Sequence, residues 1–394
     1  MKLSYRHTIR TCYLGYVVGA IVNNLTPLLL TTFAAEFSLS VTQLGTLVVL
    51  NFAIQMFIDF TGAYIAEKTG YRAAIVSAQL FAAAGLIGLG VLPYVMQDKW
   101  TAILLALVLY AVGGGMIEVL VSPITEAVPG EDKPSNMAVL HSFFCWGSVA
   151  VIFVSTGYFA VFGSENWRWL AIAWAVVPLA AAALFALVPI KVFAEDVQKA
   201  PIKKLLTSKI FLILVLLMIC SGASEVAMSQ WASMFAENEL HITKAAGDIL
   251  GPCMFAALMG LSRVIYSKFG KRADITKLIL FSGIVCACSY LIAALSPYSY
   301  LSVAGCALCG LSVGVLWPGT LSLAAADYPQ GGTPMFGFLA FGGDIGCLIG
   351  PGLVTVVASL SGDSIKTGIL SAAVFPIVMT LIAAVMLAER KRAR

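Results

Sequence analysis

Charge is what this chain has least of. Asp, Glu, Lys and Arg make up 11% of its 394 residues, where soluble domains hold about a quarter. A soluble globular protein is therefore excluded. Runs of short alternating strands are missing as well, which excludes a porin-like barrel. The metalloprotease pattern HExxH and the nucleotide-binding loop GxxxxGK[ST] do not occur, so neither zinc-protease chemistry nor ATP drive within this chain is expected. The nine cysteines show no paired loop spacing. The one CxxC, Cys306-Ala-Leu-Cys309, stands inside an apolar run without a second ligand pair and reads as packing, not as a metal site. A lone GxSxG, Gly310 to Gly314, lacks the strand–turn–helix context of a nucleophile elbow and reads as small residues between helices. No catalytic residue, metal or cofactor is expected, and the chain reads as neither an enzyme nor a receptor with an appended signalling domain.

What the chain has is apolar length. Sixty per cent of it is hydrophobic, and runs of about twenty apolar residues, each able to cross a ~30 Å hydrocarbon core, recur from end to end. Twelve spans are expected at about 8–33, 43–66, 73–95, 100–128, 136–162, 168–190, 209–236, 246–267, 275–296, 299–326, 335–359 and 366–388, separated by polar or Pro/Gly clusters. The basic N-terminus imitates a signal peptide, but its apolar run continues to about Phe33 without a clear cleavage site and reads as a retained first helix. With both termini cytoplasmic, nineteen basic residues fall inside and four outside, with Arg263 within a span. That asymmetry orients the chain in a cytoplasmic (inner) membrane, and it accounts for the net charge of +4 without a nucleic-acid partner.

The longest hydrophilic stretch, KVFAEDVQKAPIKKLLTSK, divides the spans six and six. The expected organisation is an N-terminal six-helix bundle, 1–193, a cytoplasmic linker, 194–208, and a C-terminal six-helix bundle, 209–394. The pattern Lys-x-Gly-x-Arg recurs at Lys68–Arg72 and Lys268–Arg272, after the second and eighth spans, which points to an internal repeat. An all-α membrane protein built of two pseudo-symmetric six-helix bundles is the layout of a transporter with its substrate site between the halves.

The chain resembles the major facilitator superfamily over essentially its whole length. Glu67-Lys-Thr-Gly-Tyr-Arg72 is similar to that superfamily's loop between helices 2 and 3. Within it the chain looks like the fucose–galactose–glucose/proton symporter family. NNLTPLLLTTF (Asn23–Phe33) resembles the family's first-helix motif, and GGGMIEVLVSP (Gly113–Pro123) its fourth, with glutamate five residues before proline. HSFFCWGS (His141–Ser148), GASEVAMSQW (Gly222–Trp231) and LWPGTLSL (Leu316–Leu323) are similar to its fifth, seventh and tenth. The departures are specific: the first-helix acid of the fucose permease is Pro27 here, and the fifth-helix glutamine and asparagine are His141 and Phe144. The resemblance implies that Glu118 is the proton-handling acid, without its first-helix companion.

A carboxylate at a helix centre costs about 2.5–3.5 kcal/mol on insertion scales and normally faces the bundle interior or water. Asp59, Glu118, Glu225 and Asp344 all stand inside spans, with His141 and Arg263. Asn51, Gln55 and Asp59 form one i, i+4, i+8 stripe, which reads either as a cavity face or as a hydrogen-bonded seam between helices. Glu118 has Gly114 and Ser122 on its face; Glu225 has Ser221 and Ser229, then Gln230 and Trp231. Asp344 lies among glycines, where a structural contact with a helix end or with Arg263 is the alternative to a cavity role. The residues expected to handle the proton are Glu118, Glu225 and His141. Those expected at the substrate are Asn23, Asn24, Asn51, Gln55, Glu118, Ser122, Glu225, Ser229, Gln230, Trp231, Trp317 and Asp344. Those expected at the gates are Asp59, Glu67, Lys68, Arg72, Glu126, Arg263 and Asp327. The function expected is secondary active transport of a small polar solute, a sugar by resemblance, with proton symport by a monomer in the bilayer. Export of a drug or organic cation by proton antiport is the alternative, and sodium coupling stays open because amides, hydroxyls and carboxylates also hold sodium.

Overall fold

The computed structural model describes residues 3–129, 133–191, 207–269, 274–328 and 332–392. Twelve helices among them are long and apolar enough to cross a membrane. In chain order, helices 1 to 6 are Tyr5–Phe37, Val41–Thr69, Tyr71–Val95, Lys99–Glu126, Val139–Phe162 and Ser164–Leu187. Helices 7 to 12 are Lys209–Asn238, Lys244–Ser267, Ile275–Leu295, Ser299–Asp327, Met335–Leu360 and Ile365–Arg390. They coincide with the twelve expected spans to within a few residues, and no strand occurs among the described residues.

Local chemistry sets the helix starts. Ser40 and Gln43 form a reciprocal capping box before helix 2, with the Ser40 hydroxyl accepting from the Gln43 amide at 3.3 Å and Gln43 Oε1 accepting from the Ser40 amide at 3.0 Å. Asp98 caps helix 4 by accepting from the Trp100 amide and the Thr101 hydroxyl, and Asp274 caps helix 9 through the amides of Thr276 and Lys277. Gly70 both ends helix 2 and starts helix 3 at φ 85°, a backbone region that favours glycine. Two residues on, Arg72 donates from one guanidinium nitrogen to the carbonyls of Phe185 and Ala186, at 2.9 and 2.7 Å. Those are last-turn carbonyls of helix 6, which no intrahelical donor reaches. The first Lys-x-Gly-x-Arg motif is thus a turn plus a helix cap. Gly270–Arg272 of the second copy lie outside the described residues.

The chain divides into two compact units, Met1–Ala194 and Glu195–Arg394. The expected linker, 194–208, lies outside the described residues except for Thr207 and Ser208; Ser208 caps helix 7 and bonds the Tyr328 hydroxyl. The first unit packs helix 3 on 4, 1 on 5, 2 on 4, 1 on 4 and 3 on 6; the second packs 9 on 10, 7 on 11, 8 on 10, 7 on 10 and 9 on 12. The two sets correspond pair for pair when six is added to each number, so each unit repeats the internal plan of the other. The repeat extends to a defect. Helix 6 breaks at Ala175 between Trp167–Trp174 and Val176–Leu187, and helix 12 breaks at Ala373 between Ile365–Ala372 and Val374–Arg392. In each the second segment carries proline at its third residue, Pro178 and Pro376. A proline lacks the N–H for the carbonyl four residues back and clashes with it, which puts the interruption just where it occurs. Helix 8 carries a different irregularity, a π turn over Ile249–Cys253 that contains Pro252.

The three glycines of Gly113–Gly115 face three directions, as the ~100° step of a helix requires. A Cβ on Gly113 would meet the helix 3 backbone at Ala78 and Ala82; on Gly114, Val22 of helix 1; on Gly115, Ile58 and Gln55 of helix 2. Helix 4 is the centre of the first unit because three consecutive residues there have no side chain.

Candidate functional site

In the first unit, helices 1, 2, 4 and 5 bring two polar clusters together. Asn23 Oδ1 accepts from Asn51 Nδ2 at 3.1 Å and from Gln55 Nε2 at 2.8 Å. Asn51 and Gln55 are buried, with 5% and 4% of their surface exposed, so the stripe on helix 2 is satisfied by helix 1. Two turns nearer the start of helix 1, the Tyr16 hydroxyl lies 3.0 Å from Ser122 Oγ and 3.4 Å from His141 Nδ1, with the two rings edge to face. Asn24, adjacent to Asn23, points elsewhere: its amide donates to Ala20 O at 2.8 Å and to Ser148 Oγ of helix 5 at 3.0 Å.

Glu118 stands between these clusters. One turn before it, the position of a Gly114 side chain lies against Val22 and 3.6 Å from Gln55 Nε2; one turn after it, Ser122 meets Tyr16. The side chain itself is exposed. Of the exposed large apolar residues of its helix, Leu105 stands about 140° and Val108 about 80° away around the axis, at about 100° per residue. The carboxylate is tolerated because it occupies a polar, accessible face.

Asp59, one turn beyond Gln55, is half-buried, while Glu67, Lys68 and Glu126 are exposed near helix ends. Lys68 lies over the Tyr64 ring at 4.4 Å.

In the second unit, helices 7 and 8 bring Glu225 and Arg263 together, with Arg263 Nη2 3.5 Å from Glu225 Oε2 and side-chain exposures of 15% and 23%. Helix 7 is held close to helix 11, since a Cβ on Gly222 would meet the Gly343 carbonyl oxygen. It is tied to helix 9 by the Tyr290 hydroxyl, which donates to Ser224 O at 2.7 Å. Trp317 of helix 10 lies half-buried over Gly343, where a Cβ would enter its ring, so the indole sits beside Asp344. Ser229 is half-buried and Gln230 buried. Trp231 is wholly enclosed, with no exposed surface; it is core packing, and a stacking role for its ring against a solute is withdrawn. Asp327 is paired with Arg390, whose Nη2 reaches both carboxylate oxygens at 2.6 Å, linking the ends of helices 10 and 12.

Sequence reasoning missed Tyr16, Ser148 and Arg390. Tyr16 carried a usable signal, because it stands seven residues before Asn23 and therefore on the same helical stripe. Arg390 carried none beyond its charge.

A family profile described as Major Facilitator Superfamily matches residues 12–351. Membrane protein MosC of Rhizobium meliloti is 23% identical over 330 residues, which cover 83% of this chain and 77% of MosC. Among solved structures, the E. coli fucose:proton symporter FucP is 18% identical with a TM-score of 0.66, covering 95% of this chain and 97% of that one. A D-xylose-proton symporter is 12% identical with a TM-score of 0.77, covering 97% of both. At these identities the solved structures establish a shared fold.

Proposed function

The chain belongs to the Major Facilitator Superfamily, and from that premise we propose that it is a proton-coupled symporter of a small polar solute, a sugar or sugar-like compound. It works by alternating access in a cytoplasmic membrane, with both termini on the cytoplasmic side. The observation that carries the reading is Glu118, an accessible carboxylate within a membrane-spanning helix, one turn from the Asn23–Gln55 amides and one turn from the Tyr16–Ser122–His141 cluster. An acid in that setting can alternate between charged and neutral forms. The amides and hydroxyls on both sides of it offer the directional hydrogen bonds that a polyol needs. His141 sits within the same network and is the natural exchange partner for a proton moving through Tyr16. Two solved transporters of the same fold, a fucose:proton and a D-xylose-proton symporter, support the same class of cargo. The resident machinery needs no cofactor, and the coupling ion is the proton.

The test is uptake into proteoliposomes across a panel of sugars, amino acids and organic cations, with imposed proton or sodium gradients. A proton gradient should drive accumulation of a polar solute. Glu118→Gln should abolish gradient-driven accumulation while leaving solute exchange. Intact gradient-driven uptake in that variant would sink the assignment of Glu118, and a sodium requirement would sink proton coupling.

A further inference from the structure

We infer that Glu36 and Arg168 form a binding site for the headgroup of a zwitterionic aminophospholipid, Arg168 taking the phosphate and Glu36 the ammonium. The site lies within the first unit, where helices 1 and 3 end and helix 6 begins, and it is independent of what the chain carries.

Both charges are fixed on one tyrosine. The Tyr94 hydroxyl donates to Glu36 Oε1 at 2.8 Å, and the Trp167 indole donates to Glu36 Oε2 at 2.6 Å. Trp167 is wholly enclosed and meets Phe33 and Phe37 edge to face, so neutral donors anchor the carboxylate from below. Glu36 itself is exposed, and each of its oxygens has a second lone pair to offer. Arg168 lies on the face of the same tyrosine, with Cζ 4.3 Å from the Tyr94 ring centroid and 4.5 Å from that of Trp169. Two aromatic faces hold the guanidinium in place, and its fork of N–H donors matches phosphate oxygens.

Trp and Tyr at a helix end form an interfacial belt in many membrane proteins. Here, in addition, two opposite charges sit on one ring without being spent on each other. No ion pair joins Arg168 to Glu36, or to Glu165 three residues before it, among the described residues. The guanidinium makes no hydrogen bond among them either, and its Nε is enclosed without an acceptor. The nearby Lys99 and Asp98, at the start of helix 4, are engaged locally with the Met96 carbonyl and Thr101. Glu36 and Arg168 together sum to zero. A headgroup carrying only a phosphate would set its charge against Glu36, whereas one carrying phosphate and ammonium complements both. An ethanolamine ammonium has N–H donors for the Glu36 oxygens, which a trimethylated choline lacks.

Apolar surface continues from the charged pair. Ile87, Val91 and Val95 stand at i, i+4 and i+8 on one face of helix 3, and Trp169, Val176 and Leu179 follow along helix 6; all six are exposed. The two helices are pressed together at Gly90, where a Cβ would meet the Arg168 carbonyl oxygen. Both stripes start beside the charged pair and run toward the middle of membrane-spanning helices, at the depth of the acyl chains. That continuity makes the occupant a lipid and not a free phosphoethanolamine.

The experiment titrates the full chain in detergent with phosphatidylethanolamine, phosphatidylcholine and phosphatidylglycerol of identical chains, read by native mass spectrometry. Phosphatidylethanolamine should bind at least about tenfold more tightly than either of the others, the effect of one hydrogen bond to a charged group. Glu36→Gln should erase the preference for ethanolamine over choline. Arg168→Gln should weaken phosphatidylethanolamine at least about tenfold, and Arg168→Lys should recover part of the loss. Thermal melting of each variant reports folding; if Arg168→Gln does not fold, the selectivity of Glu36→Gln decides. Equal binding of the ethanolamine and choline lipids to wild type overturns the inference, as does an ethanolamine preference that survives Glu36→Gln. Tighter binding of phosphatidylglycerol overturns it too, because Arg168 would then act as a plain anion site. Displacement of the bound lipid by an equal concentration of glycerophosphoethanolamine, which has no acyl chains, would show a soluble ligand and overturn the lipid assignment.

Discussion

Removing Asn23 tests how the polar face of the first unit is built. Its Oδ1 is the acceptor for two side-chain amides, Asn51 Nδ2 and Gln55 Nε2. Both donors sit on residues with about a twentieth of their surface exposed, so water reaches them poorly as a replacement for the lost acceptor. An orphaned buried donor costs about 1–3 kcal/mol, and Asn23→Ala orphans two, for about 2–6 kcal/mol in all. Against a typical stability of about 5–15 kcal/mol, the variant stays folded over most of that range but melts measurably earlier. Gln55→Ala removes one of the donors, so the double variant should lose less than the sum of the singles, with a coupling of about 0.5–3 kcal/mol. The assay is reversible unfolding in mixed micelles for wild type, both singles and the double. If the single effects add to within about 0.5 kcal/mol, the two residues do not act through a shared hydrogen bond. The account of the helix 2 stripe as satisfied by helix 1 would then be refuted.

Three further expectations follow from the geometry. A Cβ on Gly346 would press on the helix 7 backbone at Ile219 and Ala223, whereas one on Gly337 meets nothing within 4 Å. Gly346→Ala should therefore lower stability in thermal melts by about 1–3 kcal/mol, and Gly337→Ala should be neutral or gain up to about 1 kcal/mol. The Asp327–Arg390 bridge is partly exposed, so Arg390→Ala should change stability by about 1 kcal/mol or less; a much larger loss in chemical denaturation would show that the bridge is a structural tie. Asp98 is held below the usual carboxylate range by the Thr101 hydroxyl. A depressed folded value means its capping contribution is present above the unfolded pKa and lost as pH falls through the folded one. Wild type should accordingly lose a small increment of melting temperature on acidification that Asp98→Asn, which keeps a capping oxygen, does not lose.

The twelve helices were legible because crossing a membrane demands about twenty apolar residues in a row, and that demand is written locally. The six-plus-six division and the repeat were legible for the same reason, from one long polar segment and one recurring turn. The breaks in helices 6 and 12 were present as prolines but not read. A proline in a membrane helix can be tolerated without a break, as Pro27, Pro123, Pro318 and Pro351 are here, and only the observed ends at Trp174 and Ala372 show where it interrupts. The acids and amides could be singled out one at a time, since each is costly where it stands.

Who meets whom was not written locally. Sequence spacing places Asn51, Gln55 and Asp59 on one stripe, but only the packing of helix 2 on helices 1 and 4 gives two of them Asn23 as acceptor. It likewise gives Ser122 and His141 the Tyr16 hydroxyl, and Glu225 the Arg263 guanidinium. The same packing enclosed Trp231, which composition alone would place at a solute as readily as in the core. The chain by itself determined that it spans a membrane twelve times, in two repeats, carrying polar groups that need a reason to be there. The tertiary structure decided the partners, because helix periodicity sets the direction of a side chain along its own axis while the neighbour it reaches depends on close approach at glycines such as Gly113, Gly114 and Gly222.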